Sequence, residues 1–140
     1  MDKQWIPILL ASLLSACGQP EIPWQQQPDT GRWYSRPQVE SGRALFKQYC
    51  AACHGLHAEG TPQWQKPLAD GSYPPPPVNG SAHAWHHPYP MLVQTISDGR
   101  GKMPAWGEQL DRAQIDAVIA YFQSFWPAQG YQLWLQRHQR

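Results

Sequence analysis

The stretch Tyr49-Cys50-Ala51-Ala52-Cys53-His54-Gly55, "YCAACHG", holds two of the three cysteines in a chain of 140 residues. The two thiols lie three residues apart, and an imidazole follows the second. Three residues is close to one helical turn, so on a helix both sulfurs reach toward one side. The pattern fits a redox pair, a zinc site or a cofactor attachment point, and the surrounding sequence decides among them.

The length is that of one small domain. The formal net charge is +1, and no basic block gives electrostatic support for nucleic-acid binding. Charged residues make up only 15% of the chain, against 15 Pro, 11 Gly and 8 Trp. That composition predicts a loop-rich domain with heavy aromatic packing, of the size that often needs a disulfide, a metal or a cofactor as a staple.

Residues 1–16 read as an export signal. Lys3 precedes an apolar run from Ile6 to Leu14, which has the length of a signal core and is too short to span a bilayer. The run closes in Leu14-Ser15-Ala16-Cys17, which resembles a bacterial lipobox and predicts a lipid on Cys17. Residues 17–38 are rich in Gln and Pro and read as a tether, with Trp24 and Trp33 as candidates for packing back onto the domain. Residues 39–127 read as the folded domain, and 128–140 as a C-terminal extension.

Within the domain, Val39, Gly42, Leu45, Phe46 and Tyr49 recur at helical spacing. Gly42 inside that helix costs about 1 kcal/mol relative to Ala, which predicts a second helix crossing closely there. Ile115, Val118, Ile119, Phe122 and Trp126 mark the partner, with Asp111 and Gln114 as its N-terminal capping pair and Pro127 as its stop. Pro88 to Ser97 reads as a third helix ending at Gly99. Residues 55–87 are punctuated by Gly and Pro and show no convincing strand. The expected fold is all-α: a few short helices joined by long loops, and such loops are suspicious in a compact domain unless they wrap something.

The motif can then be judged. A thioredoxin-type pair wants a preceding strand, and none is present. A zinc site wants four ligands at recognisable spacing. Cys50, Cys53, His54 and His57 would crowd one turn. C-x-x-C-H is the attachment pattern of c-type haem, in which each thiol adds to one vinyl group and the next histidine binds iron. Export fits as well, because that attachment is made outside the bacterial cytoplasm.

With these residues in view, 39–126 resembles a bacterial class I cytochrome c of one haem. "SGRALFKQYCAACHG" resembles the first helix and haem site, "PPPPVNG" the loop that follows, "GRGKMPAW" the sixth-ligand segment and "YFQSFWP" the last helix. The resemblance implies Cys50 and Cys53 as the covalent haem c links and His54 as the proximal iron ligand, with its free N–H on the Pro76 carbonyl. It implies Met103 as the distal ligand, and Gly42 with Phe46 crossing Val118 with Tyr121. Met/His ligation gives raised potentials and leaves no open iron site, so the implied role is a membrane-tethered carrier of single electrons between exported redox proteins, rather than an enzyme. It would face the periplasm or the cell exterior.

Trp64, Tyr73, Trp85 and Trp106 are candidates for the haem wall, and Arg100 or Lys102 for a propionate partner. Two propionates would bring the mature formal charge of +1 to about −1, so charge steering should be mild. His83, His86 and His87 form the remaining cluster. Imidazole suits copper and zinc, which keeps a copper-binding accessory protein as one alternative and a haem enzyme or sensor with an open iron as another.

Overall fold

The computed structural model describes residues 26–138. The signal segment, Cys17 and Trp24 lie outside the described residues. Among these residues five helices form: α1 Arg36–Tyr49, α2 Ala51–His54, α3 Tyr89–Asp98, α4 Arg112–Ser124 and α5 Ala128–His138, with a 3-10 turn at Ala84–His86 before α3. No strand occurs among the described residues, in keeping with the all-α expectation.

Helix α1 starts three residues before the expected boundary at Val39. Its reason is local: Ser35 and Gln38 make a complete capping box, and Pro37 occupies the first turn, where its missing N–H costs nothing. The expected box at Asp111 and Gln114 opens α4, with both bonds at 2.9 Å. Gly99, at φ +75°, ends α3 as expected.

The crossing of α1 on α4 fixes the core. A Cβ on Gly42 would lie 1.9 Å from the Ala117 carbonyl oxygen and 3.0 Å from the Tyr121 Cβ. The helix backbones therefore touch, which only Gly allows. The close residue is Ala117, one position before the expected Val118. Val118 is fully buried beside it, and the Phe46 and Tyr121 rings meet at 5.2 Å as the pattern requires.

The two flanks join this core. Trp33 and Tyr34, expected at the end of the tether, are buried at 3% and 1% exposure. The Arg32 guanidinium donates to the Gln123 and Trp126 carbonyls at 2.6 and 2.8 Å, and the Trp33 indole donates to Gln123 Oε1 at 2.7 Å. Residues 128–138, expected as an extension, are helix α5, which buries Tyr131, Trp134 and Leu135. Each large aromatic removes roughly 150–250 Å² from water, enough to order short segments that lack helical periodicity.

Candidate haem site

Cys50 lies where α1 passes into α2. Its N–H returns to the Phe46 carbonyl at 2.9 Å, and its own carbonyl receives the N–H groups of Cys53 and His54 at 3.1 and 2.9 Å. Both sulfurs therefore belong to one turn, Cys50 buried and Cys53 exposed. Burial pushes the Cys50 thiol up to about 11, and the Cys53 thiol beside it adds to the effect. Burial thus keeps the Cys50 thiol protonated, unlike the lowered pKa of an activated attacking thiol. Among the described residues no three His, Cys, Asp or Glu side chains converge to hold a metal ion, which also removes a zinc site of Cys50, Cys53, His54 and His57.

His54 ends α2. Its Nδ1–H donates to the Pro76 carbonyl at 3.0 Å. A carbonyl can only accept, so the proton sits on Nδ1 and Nε2 keeps its lone pair. Burial lowers the imidazole's proton affinity, opposed by the bond to Pro76. A neutral ring with its second nitrogen committed to a carbonyl is the usual state of a metal-ligating histidine.

The loop carrying Pro76 is built to hold that carbonyl still. Proline at 77 keeps residue 76 extended. Thr61 N–H donates to the Pro75 carbonyl at 2.9 Å, and Val78 N–H to the Ala58 carbonyl at 2.9 Å. Gly60, at φ +69°, brings its backbone so close that a Cβ would stand 2.3 Å from Pro77 N. The Tyr121 hydroxyl donates to the Leu56 carbonyl at 2.8 Å, and the Trp126 indole to the Val78 carbonyl at 2.8 Å, so α4 and the residue after it clamp both ends of the wrapping segment.

Met103 sits in the loop after α3, half-buried against the core. It pairs with Arg100 through two backbone bonds of 3.0 Å across a tight turn with Gly101 at φ +59°. Gly99 lies under this turn, where a Cβ would be 2.6 Å from the Met103 carbonyl oxygen. Trp106 and Gly107 N–H groups then donate to the Ile96 and Ser97 carbonyls at 3.0 Å each, fixing the strap to α3. The Met103 backbone is thus held at both ends.

The remaining candidates divide. Trp106 is half-buried with its ring 5.3 Å from Tyr49, on the attachment helix. Trp64 stacks on His83 at 5.0 Å, Trp85 stands edge-on to His86 at 3.9 Å, and Tyr73 is 60% exposed. Lys102 pairs with Asp70 at 2.5 Å, both side chains more than half exposed. His83 and His87 meet at 5.1 Å through their rings, without a third ligand. The sequence reading missed Gly60 and the two α4 clamps. Gly60 carried a weak signal, as an isolated glycine close after C-x-x-C-H. The clamps carried none.

Residues 37–122 match the family described as "Cytochrome C oxidase, cbb3-type, subunit III". The chain belongs to this family of c-type cytochromes. Its cofactor is covalently bound haem c. The chain is 40% identical over 88 residues to the cbb3-type cytochrome c oxidase subunit CcoP of Azospirillum brasilense, covering 59% of this chain and 27% of that one. It thus spans about a quarter of the length of such relatives. It is 30% identical over 87 residues to cytochrome c6 of Bryopsis maxima, covering 59% of this chain and 86% of that one. Cytochrome CL of Methylophaga aminisulfidivorans has the same fold, with a TM-score of 0.52 at 24% identity over 90% of this chain and 81% of that one.

Proposed function

We propose that Cys50 and Cys53 carry the haem vinyl links, that His54 Nε2 and Met103 Sδ are the axial iron ligands, and that the chain passes single electrons between exported redox proteins. The observation that carries this reading is the His54 Nδ1–H bond to Pro76 at the end of the two-cysteine turn. It leaves Nε2 as a neutral donor one residue from Cys53. The bound haem supplies a ferric/ferrous couple that takes up one electron and no substrate atom.

The protein's share is to hold this couple rigid and keep its sixth site filled. The strap tied to Gly99, Ile96 and Ser97 supports Met103 in that role. Similarity to oxidase subunits supports an oxidase complex as one redox partner. The His83, His86 and His87 cluster gives the copper reading no support among the described residues. The apolar run at 6–14 followed by Leu14-Ser15-Ala16-Cys17 supports signal cleavage and a lipid on Cys17, facing the periplasm or cell exterior. No helix among the described residues is long and apolar enough to cross a membrane. A tether from Cys17 to the Arg32 anchor would reach at most about 50 Å, at roughly 3.5 Å per residue.

A potentiometric titration with carbon monoxide as probe tests the reading. The carrier gives a one-electron transition and a ferrous spectrum unchanged by carbon monoxide. Rapid carbon monoxide binding by the wild type contradicts it in favour of an open-iron enzyme or sensor. Cys17→Ser should release the protein from membranes; unchanged fractionation and mass would count against the lipid.

A further inference from the structure

The Pro76 carbonyl is held through a route that begins outside the haem site. Val78, two residues on, is fixed from both sides: its N–H donates to the Ala58 carbonyl at 2.9 Å, and its carbonyl receives the Trp126 indole at 2.8 Å. Trp126 follows α4, is 2% exposed, and lies against Gly80, where a Cβ would stand 2.9 Å from its ring. Its own carbonyl receives the Arg32 guanidinium at 2.8 Å, and that same group holds the Gln123 carbonyl at 2.6 Å. A continuous set of bonds thus runs from Arg32 through Trp126 and Val78 to the loop that positions Pro76 and His54.

We infer that Trp126 is a positioning residue for the proximal ligand: its indole N–H fixes the Val78 carbonyl and thereby sets the strength of the His54 Nδ1–H bond to Pro76. The inference rests on His54 as an iron ligand. A strong bond at Nδ1 makes the imidazole a more basic ligand, which stabilises ferric iron and lowers the reduction potential. Loosening the loop weakens that bond and raises the potential. Mere loss of packing acts in the opposite sense, because admitted water stabilises the charged ferric state. The sign of the shift separates the two roles.

The experiment uses the full-length holoprotein with Trp126→Phe, which keeps an aromatic ring and removes the donor together with part of the indole's volume. Trp33→Phe is the control, since it removes another buried indole donor, on Gln123. The expected result is a raised potential in Trp126→Phe, an upfield move of the His54 Nδ1 proton in the ferrous NMR spectrum, and neither change in Trp33→Phe. A fall in potential, or equal shifts in both variants, overturns the inference. If Trp126→Phe does not retain haem, the wild type still decides. Coupled through one loop, the Trp126 Nε1 and His54 Nδ1 protons should exchange with similar protection. Exchange of the indole proton more than about tenfold faster overturns it. Failure of the ligand assignment itself would show separately, as a wild-type spectrum without low-spin His/Met ligation.

Discussion

His54 stands alone, while His83, His86 and His87 stand together, yet the lone residue has the marks of a ligand and the group does not. His54 commits Nδ1 to a carbonyl that is itself braced by Thr61, Gly60 and Val78. In the cluster the rings pack instead. His83 stacks on Trp64, His86 meets Trp85, and the His87 carbonyl receives the Trp134 indole at 2.9 Å. His83 Nδ1 is buried with no hydrogen-bond partner among the described residues. A metal ligand is therefore recognised by the partner that orients it, more than by the number of imidazoles nearby.

The largest expected effect comes from breaking the frame under His54. Gly42→Leu puts a side chain where even a Cβ would meet the Ala117 carbonyl oxygen at 1.9 Å. Overpacking of this kind costs typically about 1–3 kcal/mol and occasionally more, against a gain of up to about 1 kcal/mol in helix propensity. Denaturant unfolding of the holoprotein should show a net loss of stability, and haem spectra should show weakened ligation. Equal or greater stability would refute the crossing.

Acidification should act on the other region. Burial, followed by neighbouring positive charge, lowers the proton affinity of His83 and His87. Their surroundings include His86, His138 and Arg100, and Arg137 lies over the Trp85 ring at 5.2 Å. The folded state therefore prefers them neutral. This stability is present above the ordinary histidine value of about 6.5 and is lost as pH falls through it, because the unfolded chain takes up the protons first. Thermal unfolding of the holoprotein should weaken from about pH 7 to pH 5, and less so in a His83→Asn, His87→Asn variant. Parallel curves would contradict the assignment.

The smallest effect is expected from replacing His83, His86 and His87 together with Asn. Calorimetric titration with Cu(II) or Zn(II) should show only weak binding before and after, and the reduction potential should barely move. A tight stoichiometric site lost in the variant would reverse the comparison.

How far each region was legible follows from the range of the interactions. The Cys50–His54 turn, the Asp111 cap, the Gly99 stop and the Gly42 crossing are local or periodic, and they read directly from sequence. The exact residue against Gly42 did not, because a helix rotation of one position separates Ala117 from Val118. Residues 32–38 lacked apolar periodicity and read as tether, although Arg32 and Trp33 are held by carbonyls and side chains some 90 positions away. Helix α5 was missed for the same reason: its order comes from Tyr131 and Trp134 packing on other segments. The pairing of Lys102, read as a candidate propionate partner, with Asp70 had no sequence signal, because Asp70 lies in a distant loop.

The central claim is that His54 and Met103 together ligate iron on a haem held by Cys50 and Cys53. It is tested most directly by the near-infrared spectrum of the oxidised wild type beside Met103→Ala and Met91→Ala, the latter altering the other methionine of the described residues, in α3. The account predicts a weak Met-to-iron charge-transfer band in the wild type and in Met91→Ala, and its loss in Met103→Ala together with a lowered potential and new carbon monoxide binding. A band that survives Met103→Ala, or one that disappears in Met91→Ala alone, would contradict it.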